Sequence, residues 1–172
     1  NNDSYSATED VALTTPASGV LSNDTDADGN ALTAVLVAGP IASQGTVILN
    51  ANGSFVFTPA PNFNGSATFS YRASDGTLTS EIATVSINVV AINDAPVAVN
   101  DTFSSTGGTL TTPIPGVLSN DSDIEGNSLT AVLVAGPTAA QGTLTLNSNG
   151  SFVFTSAIGF SGAATFTYRA SD

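Results

Sequence analysis

The chain has 172 residues, enough for one large domain or two small ones. It is 41% hydrophobic, so it can bury a core, but only 9% charged, with 14 acidic residues against two arginines and a formal net charge of −12. Cys, His, Lys, Met and Trp are absent, which excludes disulfides and thiol nucleophiles, a Ser-His-Asp triad or an imidazole zinc site, and lysine Schiff bases or Lys–Asn crosslinks.

With Arg72 and Arg169 as the only cationic side chains, nucleic acid and anionic membranes are repelled. No apolar run approaches the roughly 20 residues of a transmembrane helix. The chain opens Asn1-Asn2-Asp3-Ser4, without Met and without a signal-peptide pattern, and reads as a mature fragment or a piece of something longer. The palette of Thr, Ser, Ala, Gly, Asn and Val without Cys suits a bacterial exported protein, extracellular or on the cell surface.

Runs of Val, Ile, Thr, Phe and Tyr alternate with clusters of Gly, Asn, Asp and Pro, the pattern of short strands. In chain order the spacing predicts a strand over Leu32 to Val37. A hairpin follows from Thr46 to Leu49 and Ser54 to Thr58, turning at Asn50-Ala51-Asn52-Gly53, where Asn-Gly supplies the positive φ of a tight turn. Ala67 to Ala73 alternates, with Phe69 and Tyr71 on one face and Thr68, Ser70 and Arg72 on the other. Ile82 to Val90 is the next strand. The predicted core face holds Tyr5, Leu13, Val20, Leu32, Val35, Val37, Phe55, Phe57, Phe63, Phe69, Tyr71, Val85, Ile87 and Val89. No helical period competes.

The same unit then recurs. LTAVLVAGP begins at Leu32 and again at Leu129, an offset of 97 residues, and GVLSND, NGSFVFT and YRASD repeat at the same offset. Near the start the offset is 98, pairing Asn2-Asp3 with Asn100-Asp101. The expected domains are therefore 1–97 and 98–172. The second has no counterpart to the stretch after Asp75 that holds the last strand. About seven short strands per unit predict an all-β fold of tandem antiparallel sandwiches of Ig-like or cadherin-like type, the second lacking its last strand.

The carboxylates fall in loops. Asn23-Asp24-Thr25-Asp26-Ala27-Asp28-Gly29-Asn30 is matched by Asn120-Asp121-Ser122-Asp123-Ile124-Glu125-Gly126-Asn127. Oxygen donors at alternate residues followed by Gly let a bent loop aim several oxygens at a hard cation such as Ca²⁺. The flanks are strands and no Glu closes the loop, so this is not an EF-hand. The other reading is a solvated turn rich in Asp, Asn and Gly. Close like charges repel without a cation, which favours metal. Between the copies lies Ala91-Ile92-Asn93-Asp94-Ala95-Pro96-Val97, a Pro-stiffened linker flanked by Asn-Asp pairs.

These stretches resemble the cadherin-like repeats of large bacterial surface and secreted adhesins, the kind found beside VCBS and RTX repeats. Glu9-Asp10 resembles the early glutamate of a cadherin repeat. Asp26-Ala27-Asp28 and Asp123-Ile124-Glu125 resemble the Asp-Ala-Asp motif, Ala73-Ser74-Asp75 and Ala170-Ser171-Asp172 the Ala-x-Asp motif, and Asn93-Asp94 the Asn-Asp linker. The resemblance implies Ca²⁺ at the junction of repeats. Glu9, Asn93, Asp94, Asp123, Glu125 and Asp172 would serve this junction, and Asp26, Asp28 and Asp75 one with a preceding repeat. Asp24, Asp101 and Asp121, in the Asn-Asp pairs and loops, complete the candidate metal ligands. Pro59 to Gly65 departs from the family's Asp-Arg-Glu segment, and copy two has Gly107-Gly108 where copy one has Glu9-Asp10, which implies fewer or weaker ions.

Three functions follow. The first is a non-catalytic extender of a bacterial adhesin or matrix protein, whose partners are neighbouring repeats of the same protein. The second is a fibre subunit, in which another copy adds a strand to the open edge of repeat two. The third is a carbohydrate-binding module, for which exposed aromatics would be wanted, whereas Tyr5, Tyr71 and Tyr168 read as core. Acidic clusters that recur in both copies fit architecture better than one active site, so no enzyme is expected.

Overall fold

The computed structural model describes the whole chain, Asn1 to Asp172. It divides into two compact units, Asn1–Ile92 and Asn93–Asp172. The sequence repeat sets the division at Val97 and Ala98. In the structure Val97 exchanges backbone hydrogen bonds with Ser122 (2.8 and 3.1 Å), which ties the linker to the second unit. No helix is long and apolar enough to cross a membrane.

Unit 1 has seven strands: β1 (Asp3–Thr8), β2 (Leu13–Thr15), β3 (Thr33–Ala38), β4 (Gly45–Leu49), β5 (Phe55–Pro59), β6 (Gly65–Ser74) and β7 (Ala83–Val90). They form one sheet in the order β1-β7-β6-β3 and another in the order β2-β5-β4. β1 lies parallel to β7, from Asp3 opposite Val85 to Thr8 opposite Val90. The other named pairs are antiparallel. The inward residues alternate as a period of two requires, and Ala67, Phe69, Tyr71, Val85, Ile87 and Val89 of the first sheet meet Phe55 and Phe57 of the second. Tyr5, Phe55 and Phe69 stack edge to face, with ring centroids 4.9 and 5.2 Å apart.

Part of the predicted core face is corrected. Val35 and Val37 are 50% and 46% exposed, and of β3 only Ala34 is buried. β3 is an edge strand, and its register against β6 shifts between Leu36 and Ala38. Val35 lies before that shift, opposite Arg72, so alternation from buried Ala34 turns it outward, and Val37 sits at the irregularity itself.

Two devices hold the second sheet. Gly53, in the β4–β5 turn, has φ +83° and accepts the Val20 N–H at 3.0 Å; a Cβ on it would lie 1.9 Å from the Ser18 carbonyl oxygen. Buried Thr15 spans β2 and β5 through its hydroxyl, which accepts the Phe55 N–H at 3.0 Å and donates to the Phe55 carbonyl at 3.3 Å.

Unit 2 has β8 (Thr109–Thr112), β9 (Thr130–Ala135), β10 (Gly142–Leu146), β11 (Phe152–Ser156) and β12 (Thr167–Ser171). Its sheets are β10-β11-β8 and β12-β9. Thr112 and Phe152 repeat the Thr15 device, and Gly150 repeats Gly53. The fully enclosed core is smaller, consisting of Val117, Ala131 and Phe152.

Candidate metal centre

The acidic loops are first of all turns. In unit 1, Asp26 Oδ1 accepts the backbone N–H groups of Asp28 and Asn30, both at 3.0 Å, and Gly29 takes φ +78°. In unit 2, Asp123 Oδ1 accepts the Asn127 N–H at 2.8 Å, and Gly126 takes φ +76°. The first carboxylate oxygen of each loop thus closes the turn. The second oxygen of Asp123 is buried and has no hydrogen-bond partner. A carboxylate oxygen so placed is costly unless a cation or donor meets it.

Around that loop unit 2 gathers further oxygens. Asn93 donates its amide to Asp172 Oδ2 and accepts the Asn127 amide at 2.7 Å. The Asp94 N–H donates to Glu125 Oε2 at 3.2 Å. The Asn93 amide, then the backbone N–H of Asp172 and the Asn127 amide, hold the Asp172 carboxyl below the ordinary range. Asn93, Asp94, Glu125 and Asp172 are thus drawn together, with Asn127 joining them to Asp123. Asn127 was not among the sequence candidates. Its signal is the Gly-Asn pair that closes both acidic loops, at Asn30 and Asn127.

In unit 1, Glu9 is 1% exposed. Its N–H donates to the Val90 carbonyl at 3.0 Å, which places it at the end of β7. Its carboxylate accepts the Ile92 N–H and, at 3.5 Å, the Asn64 amide. The donor set of the chain, carboxylates and amide oxygens without sulfur or imidazole, suits a hard cation such as Ca²⁺.

The remaining candidates lie elsewhere. Asp24 and Asp121 serve the hydroxyls of buried Tyr71 and half-buried Tyr168. Tyr71 Oη lies 2.6 Å from the Val20 carbonyl, 2.7 Å from Asp24, 3.1 Å from Asp3 and 3.2 Å from the Asn1 carbonyl. Tyr168 Oη lies 2.7 Å from the Val117 carbonyl, 2.9 Å from Asp121 and 3.1 Å from Asp101. Burial, then the neighbouring aspartates, push both phenols up. Burial and the facing aspartate also raise Asp3 and Asp101. Asp75 Oδ1 accepts the N–H groups of Leu78 (2.6 Å) and Thr77 (2.7 Å), which lower its carboxyl and commit that oxygen to a turn. Asp28 is exposed beside the Asp26 turn.

A family model of the bacterial cadherin-like domain matches residues 1–91 and again 93–172. The chain belongs to the bacterial cadherin-like domain family. Among solved structures it is similar to EC1-2 of human mucin-like protocadherin (16% identity, TM-score 0.52), covering 91% of this chain and 77% of that one. It is similar to the same degree to extracellular cadherin domains 3–6 of protocadherin gamma B2 (16%, 0.52), covering 91% of this chain and 38% of that one. At such identities the likeness is one of fold. An endo-fucoidan hydrolase of glycoside hydrolase family 107 aligns over 100% of this chain and 26% of its own at 21% identity, with a TM-score of 0.41 that carries no functional argument. A comparison with curated proteins gives no match.

Proposed function

We propose that the chain is a pair of non-catalytic extender repeats of a bacterial extracellular adhesin or matrix protein, stiffened by Ca²⁺ held on the acidic loop and linker. Cadherin-like domains suit adhesion and spacing and are generally not enzymes, which supports the reading. The observation that carries it is Asp123 Oδ2, a buried carboxylate oxygen without a hydrogen-bond donor, in a loop bonded to further carboxylate and amide oxygens. On this reading Asp123, Glu125, Asp172, Asn93 and Asp94 hold the ion, which supplies positive charge to a crowded acidic set.

The linker gives the ion its mechanical meaning. Glu9 accepts the N–H of Ile92, and Glu125 accepts the N–H of Asp94, so carboxylates grip the backbone two residues apart. An ion bound to Asn93 and Asp94 would hold this stretch to the unit 2 loop, and Pro96 stiffens the next step. Asp26, Asp28 and Asp75 of unit 1 are the corresponding residues for a preceding repeat.

The test is a calorimetric Ca²⁺ titration with thermal unfolding before and after EDTA. At a hundredfold excess over Kd, one ion adds about 2.7 kcal/mol to the state that binds it. Asp123→Asn is expected to abolish most of that gain, because it removes the charge while the amide oxygen still accepts the turn bond from Asn127. Absence of both binding and a thermal shift would make the loops solvated turns, and the chain a metal-free spacer.

A further inference from the structure

Within unit 2, the linker lies along the acidic loop and runs antiparallel to it. Asn93 Oδ1 accepts the Asn127 amide at 2.7 Å, and Glu125 Oε2 accepts the Asp94 N–H at 3.2 Å. Val97 and Ser122 exchange backbone hydrogen bonds. Asp121 Oδ1 accepts the Val99 N–H at 2.8 Å, and the Asn100 carbonyl accepts the Asn120 amide at 3.2 Å. Positions rise from 93 to 100 on one side of this ladder and fall from 127 to 120 on the other.

The ladder brings Asn93 and Asp94 of the linker to Asp123 and Glu125 of the loop, and Asn127 is bonded to both sides of that meeting. Its backbone N–H donates to Asp123 Oδ1 at 2.8 Å, so that Oδ2 is the carboxylate oxygen left unmet. Its side-chain amide donates to Asn93 Oδ1, whose second lone pair is available to a cation. A donor that holds one lone pair of a ligand oxygen orients the other before the ion binds. At the far end, Val97, Val99 and Asn100 are anchored through Ser122, Asp121 and Asn120, whose bonds use none of the oxygens assigned to the ion.

We propose that the linker is docked on the acidic loop before any ion arrives, and that Asn127 is the residue that positions its ligands. The positioning role rests on the Ca²⁺ reading above, whereas the docking rests on the ladder alone. A docked linker lowers the ordering cost of binding. The ion then tightens a strap that is already closed, instead of capturing a loose chain.

The experiment follows the isotope-labelled full chain by NMR, first in EDTA and then through a Ca²⁺ titration, beside Asn127→Ala, Asn93→Ala and the double variant. In EDTA, slowed amide exchange is expected at Asp94, Val97 and Val99. Asn127 is exposed, and Asn127→Ala keeps the backbone N–H that closes the Asp123 turn. It should free the Asn93 side chain in EDTA, leave Val97 and Val99 protected, and weaken Ca²⁺ binding about tenfold, read from the Asp123 and Glu125 amide shifts. Asn93→Ala should also weaken binding, and adding Asn127→Ala to it should cost little more, because the two act through one bond. Free exchange over 94–99 in EDTA overturns the docking. The positioning role is overturned if Asn127→Ala binds as tightly as the unchanged chain or more tightly, or if it weakens binding by the same factor in the Asn93→Ala background. If Ca²⁺ shifts nothing in any of the four chains, the Ca²⁺ reading and the positioning role fall together, and protection in EDTA alone upholds or overturns the docked linker.

Discussion

The Tyr71 hydroxyl has one proton and four oxygen acceptors within 3.2 Å, two of them aspartates. The surplus acceptors face one another in a half-buried space, so the folded state binds a proton at Asp3 more tightly than the unfolded chain does. The raised Asp3 carboxyl therefore adds stability as pH falls through its folded value toward the ordinary 3.8, and subtracts stability above it. Asp75 and Asp172, whose carboxyls are lowered, act in the opposite sense and lose their contribution as pH falls below 3.8. Asp3→Asn keeps the Val20 and Asp24 acceptors and gives the cluster a donor. It is expected to raise the stability of unit 1 at neutral pH by about 0.5–1.5 kcal/mol. It should also remove part of the gain seen on acidification, as chemical denaturation at a series of pH values would show. The tyrosines were legible in the sequence as core residues because they alternate with polar neighbours. Their hydroxyl partners were not, since Asp3 and Asp24 lie far away in the chain and only folding brings them together.

Among the elements, the β4–β5 turn is legible in Asn52-Gly53, because positive φ is a local demand that Gly answers cheaply. The sequence did not show that the same Gly lies against the Ser18 carbonyl. A Cβ there meets backbone rather than a flexible side chain, so Gly53→Ala is expected to lower the unit 1 melting temperature strongly, by about 2 kcal/mol or more in stability. The same change at Gly29, whose Cβ would meet nothing within 4 Å, should cost only the strain of its φ. Comparing the two variants by thermal unfolding separates close approach from backbone conformation. β3 shows the limit of periodicity. Thr33–Ala38 is apolar enough to read as core, but it is Ala34 that points inward, so Val35 faces outward opposite Arg72 and Val37, at the register shift, is also in solvent. The oxygen-rich loops were legible as turns or ligands; which oxygen closes a turn and which is left over depends on coordinates, as Asp123 shows.

Across the whole molecule, the internal repeat makes the two units comparable almost residue by residue. Twelve buried residues form the unit 1 core and three that of unit 2. Buried apolar area is the main source of folding free energy, so calorimetry in EDTA should show two transitions, with unit 2 melting first. A single transition would mean that the units unfold together. Strand alternation reports a face and says nothing about which strand lies alongside, so it does not reveal the parallel pairing of β1 and β7.

That pairing has a consequence under load. The chain enters unit 1 at the start of β1 and leaves it at the end of β7, and the paired strands run in the same direction over six residues each, about 20 Å. A pull on the two ends of unit 1 drags these strands past each other, so the rungs of the ladder share the tension and break together rather than one after another. Unit 2 has no such pair in this chain. In single-molecule stretching, unit 1 should yield at the higher force, and a tether built from repeats with this ladder would resist sudden drag.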